Sequence, residues 1–188
     1  MNAAASNKAP LSPSALSAAR QLSDFIRAAP SATAALQAWC TERTLGTDRI
    51  SARLLDGTLL EAPPPALLGA LDGTQGERVL ARKVALCCGE LMLSIARIWY
   101  LADRLPAPIA DQLVQSTVPF GYAVAPLCPQ RRTISTKIYA SIDAPDIEPD
   151  TVVEHQAVVA AGSGTILAVV QERYQRALLG AEYASAAR

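Results

Sequence analysis

A single histidine, His155, stands among the 188 residues, a scarcity that excludes a multi-histidine metal centre and leaves little room for a Ser-His-Asp triad. An excess of either charge is also missing. Lys plus Arg and Asp plus Glu both number 17, so no global field recruits nucleic acid or an anionic membrane. No apolar run approaches the roughly 18 residues needed to cross a bilayer, and the opening MNAAASNKAPLSP has one lysine but no apolar signal core. The expected setting is the cytoplasm, and a small molecule is the partner easiest to defend. Four cysteines, Cys40, Cys87, Cys88 and Cys128, lack the paired C-x-x-C spacing of a zinc site. They read as reduced, small core residues, and His155 reads as structural rather than catalytic.

What is present suffices for a core. Hydrophobic residues make up 51% and charged residues 18% of the chain, which excludes wholesale disorder and fits one domain of this length. Residues 1–12 are small, polar and proline-bearing and are expected to form a mobile tail, with a single domain over 13–188. Leu16, Ala19, Leu22 and Ile26 repeat at helical spacing with Ser14 able to cap, and Ala35, Leu36, Trp39 and Cys40 repeat likewise after Pro30 and Ser31. DRISARLLDG, over 48–57, reads as a strand ended by an Asp-Gly turn. The prolines of EAPPPALLGALDGTQG bar a central strand and leave an irregular connection with at most a short helical turn.

ERVLARKVALC, a C-G-E turn and LMLSIARIWYL form a hairpin signal. A short helix near 107–116, the loop STVPFGYAVAPL and strands around 131–142, 151–160 and 165–176 complete the chain. AGSGT, at 161–165, joins two strands and reads as a turn rather than a phosphate loop. Helices gathered at one end and strands joined by short turns predict an α+β domain around an antiparallel sheet.

Several charges fall where the strand period expects apolar side chains. Ile166, Ala168, Val170, Glu172 and Tyr174 share one face, and Leu80, Arg82, Val84 and Leu86 share another. Arg97 alternates with Leu93, Ile95 and Trp99 and is expected to be a second inward arginine. An ionised side chain on such a face is costly unless paired or hydrogen-bonded. Two readings satisfy these charges: a structural Arg82–Glu172 ion pair, or a pocket in which guanidinium groups hold carboxylates of a small acidic substrate while Glu172 meets the reacting centre. Trp39, Trp99, Arg131 and Arg132 read as packing and solvated surface charge.

RVLARKVALCCGELMLSIARIWYLADRLP, QSTVPFGYAVAPL and GTILAVVQERYQRALL, in that order, resemble the chorismate pyruvate-lyase (4-hydroxybenzoate synthase) family, in particular its distant bacterial branch, over roughly residues 30–180. The resemblance implies a six-stranded antiparallel sheet with flanking helices enclosing a buried ligand pocket. It implies conversion of chorismate to 4-hydroxybenzoate and pyruvate with no metal or organic cofactor. It places the catalytic arginine on Arg82 and the active-site glutamate on Glu172. Phe120 and Gly121 of the P-F-G element become substrate-binding through backbone amides, and Arg97 is a candidate second clamp. The chain departs from the pattern in SIARIW, where an ungapped alignment sets the second arginine's position on Ile98, and at Tyr122, where a charged residue is common. The alternatives are a non-catalytic member binding a small aromatic or carboxylic ligand, as ligand-binding domains of transcriptional regulators do, or a lyase or dehydratase acting on another acid. The absence of an accompanying DNA-binding segment weighs against a complete regulator.

Overall fold

The structure is a computed structural model and describes residues 10–72, 76–115, 117–140, 148, 150–180 and 183. Much of the expected tail, over 1–9, lies outside the described residues, as do 141–142 of the expected fourth strand. Leu11 is packed into the core, and its amide donates to Ala140 O at 2.9 Å.

The chain opens with α1 (Pro13–Ala28) and α2 (Ala32–Glu42). Ser12, not Ser14, caps α1: its side chain accepts from the Ala15 amide, and Pro13 occupies the first turn, where its missing N–H is no loss. Ser31 caps α2 in the same way. The apolar stripe read from the sequence is the buried one, with Ala19, Leu22 and Ile26 of α1 and Ala35, Leu36, Trp39 and Cys40 of α2 inside.

Strand β1 (Ser51–Leu60) follows. The expected Asp-Gly turn is instead an irregularity within it, because pairing with the next strand shifts register between Leu54 and Asp56 and again between Asp56 and Leu59. The proline-rich connection holds α3 (Pro65–Leu71), with prolines at its cap and first turn. The hairpin comprises β2 (Val79–Cys88) and β3 (Leu91–Leu101), joined at Gly89 with φ 56°. A Cβ at Gly89 would stand 2.5 Å from Asp48 Oδ2, so glycine is required there by both conformation and space. Helices α4 (Ala107–Gln115) and α5 (Phe120–Ala123) precede β4 (Gln130–Ile138), β5 (Thr151–Ala160) and β6 (Ile166–Gln175).

The strands form one antiparallel six-stranded sheet in the order β1-β2-β3-β6-β5-β4. The inner face carries the main core, in which α1, α2, Leu113 of α4 and Phe120 of α5 pack on Val84, Ala96, Ile98 and Val170. On the outer face, Leu67 and Leu71 of α3 cover Trp99, Leu101, Val158 and Val169. This is the α+β, chorismate lyase-like architecture expected from the sequence. The cysteine expectation holds for Cys40, Cys87 and Cys88, which are buried, but Cys128 is exposed in a left-handed turn at φ 51°.

Candidate functional site

Register decides which charges look inward. Arg82 lies opposite Ile98, Ala96 opposite Glu172 and Ile98 opposite Val170. Directly paired residues share a face, so Arg82 and Glu172 are both on the inner side. Lys83 lies opposite Arg97, which lies opposite Gln171. The expectation of an inward Arg97 is therefore corrected: β2–β3 pairing runs unbroken from Val79 to Leu86, so no bulge turns the side chain over. Arg97 instead bonds Glu61 on the outer side at 2.5 Å and lies over the Trp99 ring.

Between the inner face and its helical cover lies a partly open cavity of about 40 Å³. Its sheet wall is apolar, with Val84, Leu86, Ala96, Ile98, Val159 and Val170. Its cover is the turn into α2, at Pro30 to Thr33, together with Phe120, Gly121 and Val124. Gly121 permits the contact between these two covering pieces: an added Cβ would lie 2.9 Å from both Ser31 Oγ and Thr33 Oγ1. Phe120 packs at 6.0 Å between ring centroids against Tyr100, a buried side chain of β3.

One end of the cavity is ionic. Glu172 is there, and its cation is Arg131 of β4 rather than Arg82. Arg131 Nη2 donates to Glu172 Oε2 at 2.5 Å, and the Tyr174 hydroxyl donates to the same oxygen at 2.9 Å. Nη1 donates to Thr133 Oγ1 at 2.7 Å. The Arg131 side chain is 3% exposed, so the reading of it as a solvated surface charge is also corrected. Burial disfavours its charge, but Glu172 and Tyr174 more than offset this and hold its pKa above the ordinary arginine value. Burial and the adjacent Glu172 carboxylate push the Tyr174 phenol well above its ordinary range.

Behind the pair stands His155, fully buried in β5 and paired in register with Glu172. Its Nδ1 lies 3.4 Å from Arg131 Nη2 and its Nε2 lies 2.9 Å from Ser23 Oγ of α1. Arginine can only donate, so Nδ1 accepts and the ring proton sits on Nε2, directed at Ser23. Burial first, and then the Arg131 charge, lower its pKa to about 4 and keep it neutral. The ring also meets Tyr174 edge-on, at 5.2 Å between centroids.

Of the residues singled out in the sequence, Glu172, Phe120 and Gly121 line this one cavity. Arg82 is buried on the same face beside Tyr100 but outside the lining, and burial lowers its pKa. Arg131, Ser31 and Thr33 were not read as site residues. Alternation of Arg131 with Thr133 was an available signal, but β4 is an edge strand with mostly exposed side chains, so its period carries little contrast.

No family model matches the chain. An uncharacterised protein, y4mC, from Sinorhizobium fredii (strain NBRC 101917 / NGR234) is 29% identical over 167 residues, covering 79% of this chain and 70% of that one. The solved effector domain of PhnF from Mycobacterium smegmatis superposes with a TM-score of 0.52 at 14% identity, covering 78% of this chain and 88% of the domain. Longer PhnF from the same organism gives 0.51 at 13% identity, covering 77% of this chain and 63% of that one. The chain likewise spans 59% of a possible transcriptional regulator, YydK, from Bacillus subtilis, with a TM-score of 0.45, 11% identity and 70% of this chain covered. Among the described residues no helix is long and apolar enough to cross a membrane.

Proposed function

We propose that the chain is a binding domain for a small aromatic or carboxylic ligand, held between the inner sheet face and the Pro30–Thr33 and Phe120–Val124 cover. One observation carries this reading: the cavity has an apolar sheet wall and one ionic end whose charges are already paired. A flat hydrocarbon body suits the walls, and the polar end fixes its orientation. The likeness to a solved effector domain supports the same reading.

Lyase chemistry finds less support. Arg82, to which the resemblance gives the leaving-group role, does not line the cavity. The volume bears on entry as well. About 40 Å³ holds roughly three waters, each needing ~10–15 Å³, so an aromatic ligand fits only with rearrangement of the lining side chains.

The test is calorimetric titration of the purified protein with 4-hydroxybenzoate, benzoate and chorismate, with pyruvate followed by chromatography in the chorismate sample. Saturable binding of an aromatic acid without pyruvate release is expected. Stoichiometric pyruvate and 4-hydroxybenzoate would replace the reading with the lyase, and absence of any binding would remove it.

A further inference from the structure

The outer face of the sheet carries a second, partly open cavity of about 140 Å³, lined by Lys83, Ile95, Arg97, Gln171, Arg173 and Glu148. Lys83 follows the inward Arg82 along β2 and points to the opposite face, so this cavity is separate from the one under α2 and α5. Lys83 lies directly opposite Arg97, a like-charge pair that a sheet disfavours unless an anion answers it. Protein carboxylates answer in part. Glu148 Oε1 is 3.3 Å from Lys83 Nζ, and Glu148 Oε2 accepts from Arg173 Nη1. Glu61 accepts from Arg97 Nη2 at 2.5 Å, and Glu154 accepts from Arg173 Nε at 2.7 Å. Glu61 and Glu154 are outside the lining, so three cations and one carboxylate face the cavity.

The donors are not exhausted. An ammonium and a guanidinium each carry several N–H groups, and among the described residues Lys83 and Arg97 each have a single carboxylate partner. The carboxylate is fixed: the Thr151 hydroxyl and amide both donate to the Glu148 carbonyl, at 2.9 and 3.3 Å. Burial acts to raise the Glu148 pKa, but hydrogen bonds from Arg173 outweigh it and hold the carboxyl below its ordinary value, so its side chain only accepts. The excess of cations suits an anion, and Glu148 suits a donor on that same anion. Sulfate and carboxylate ions at neutral pH offer acceptors alone, whereas phosphate offers acceptors and keeps a hydroxyl. About 140 Å³ is room for roughly ten waters at ~10–15 Å³ each, which accommodates such a group. We infer that the outer-face cavity binds a phosphate group that retains a proton, its oxygens accepting from Lys83 and Arg97 beside Arg173 and its hydroxyl donating to Glu148. The site is on the other side of the sheet from the aromatic-ligand cavity and does not rest on that reading.

The test is calorimetric titration of the purified protein at pH 7 with inorganic phosphate and, at matched ionic strength, with sulfate. Saturable phosphate binding, roughly tenfold or more tighter than sulfate and weakened to a similar degree in Lys83→Gln, supports the inference. Equal affinity for sulfate overturns the part given to the phosphate hydroxyl. Phosphate affinity unchanged in Lys83→Gln places any binding elsewhere and overturns the site, as does the absence of saturable binding to the wild type. A further measurement uses Glu148→Gln, with its melting temperature as a folding control. The preference for phosphate over sulfate shrinks if the carboxylate is what discriminates, and an unchanged preference overturns that assignment.

Discussion

Arg131 and Glu172 belong to strands that do not touch, β4 and β6, and meet over β5 at 2.5 Å. Glu172 is in register with His155, whereas the Arg131 backbone lies opposite Val159, four positions along β5, so the guanidinium reaches back along the strand to close the pair. The ion pair is thus made by side-chain reach over an intervening strand, with Thr133 and His155 fixing the guanidinium on its way.

Breaking the pair from one side is predicted to cost more than removing it. Arg131→Met leaves the Glu172 carboxylate buried without its cation and lowers stability at pH 7 by about 3–5 kcal/mol. The double variant Arg131→Met with Glu172→Gln recovers most of that loss. Chemical denaturation of the four-member cycle measures both; a double-variant loss equal to the sum of the two single losses would show that the two residues do not act as an energetic unit.

Stability is expected to fall as the medium is acidified through the range set by His155. Its ordinary value is 6.5 and its folded value is about 4, so the unfolded chain takes up the proton more readily. The stabilisation is complete above about pH 6.5 and is lost as pH falls towards 4, a change of about 3 kcal/mol at the limit. His155→Gln keeps an acceptor for Arg131 and a donor for Ser23 without titrating. Thermal melts from pH 7 to 4 should be flatter for that variant, and an equally steep fall would assign the acid sensitivity elsewhere.

Gly121→Ala is predicted to separate the two halves of the cover. The new methyl meets Ser31 and Thr33 at 2.9 Å, and accommodating it costs about 1–3 kcal/mol of stability. Ligand affinity should drop with it. Titration of the variant, with its melting temperature as a folding control, checks both effects, and wild-type affinity would show that this contact does not shape the cavity.

Arg97→Gln provides the opposite control. The side chain is on the outer face and its ion pair with Glu61 is partly exposed, so stability should change by less than about 1 kcal/mol. Affinity for an inner-face ligand should stay within about twofold of wild type. A large loss would mean that Arg97 reaches the ligand.

Local period and punctuation made most of the elements readable in the sequence. The paired helices, the C-G-E hairpin and the β5–β6 turn at AGSGT all follow from rules spanning a few residues. Two local expectations differ from the structure for local reasons: Asp56-Gly57 is absorbed by register shifts in an edge strand, and Pro13 takes a first-turn position that moves the cap to Ser12. The three cavity residues found from sequence, Glu172, Phe120 and Gly121, came from strand alternation and the family resemblance.

By itself, the sequence determined an antiparallel α+β domain in which a glutamate occupies an apolar face, because alternation along one strand is a property of that strand alone. Only the tertiary structure decided which arginine answers it. Strand order places β4 and β6 on either side of β5, register turns Arg97 outward and Arg82 inward, and the length of an arginine side chain lets Arg131 reach a residue that its own backbone does not pair with. Those are relations between strands distant in sequence, and no period within any one of them encodes the choice.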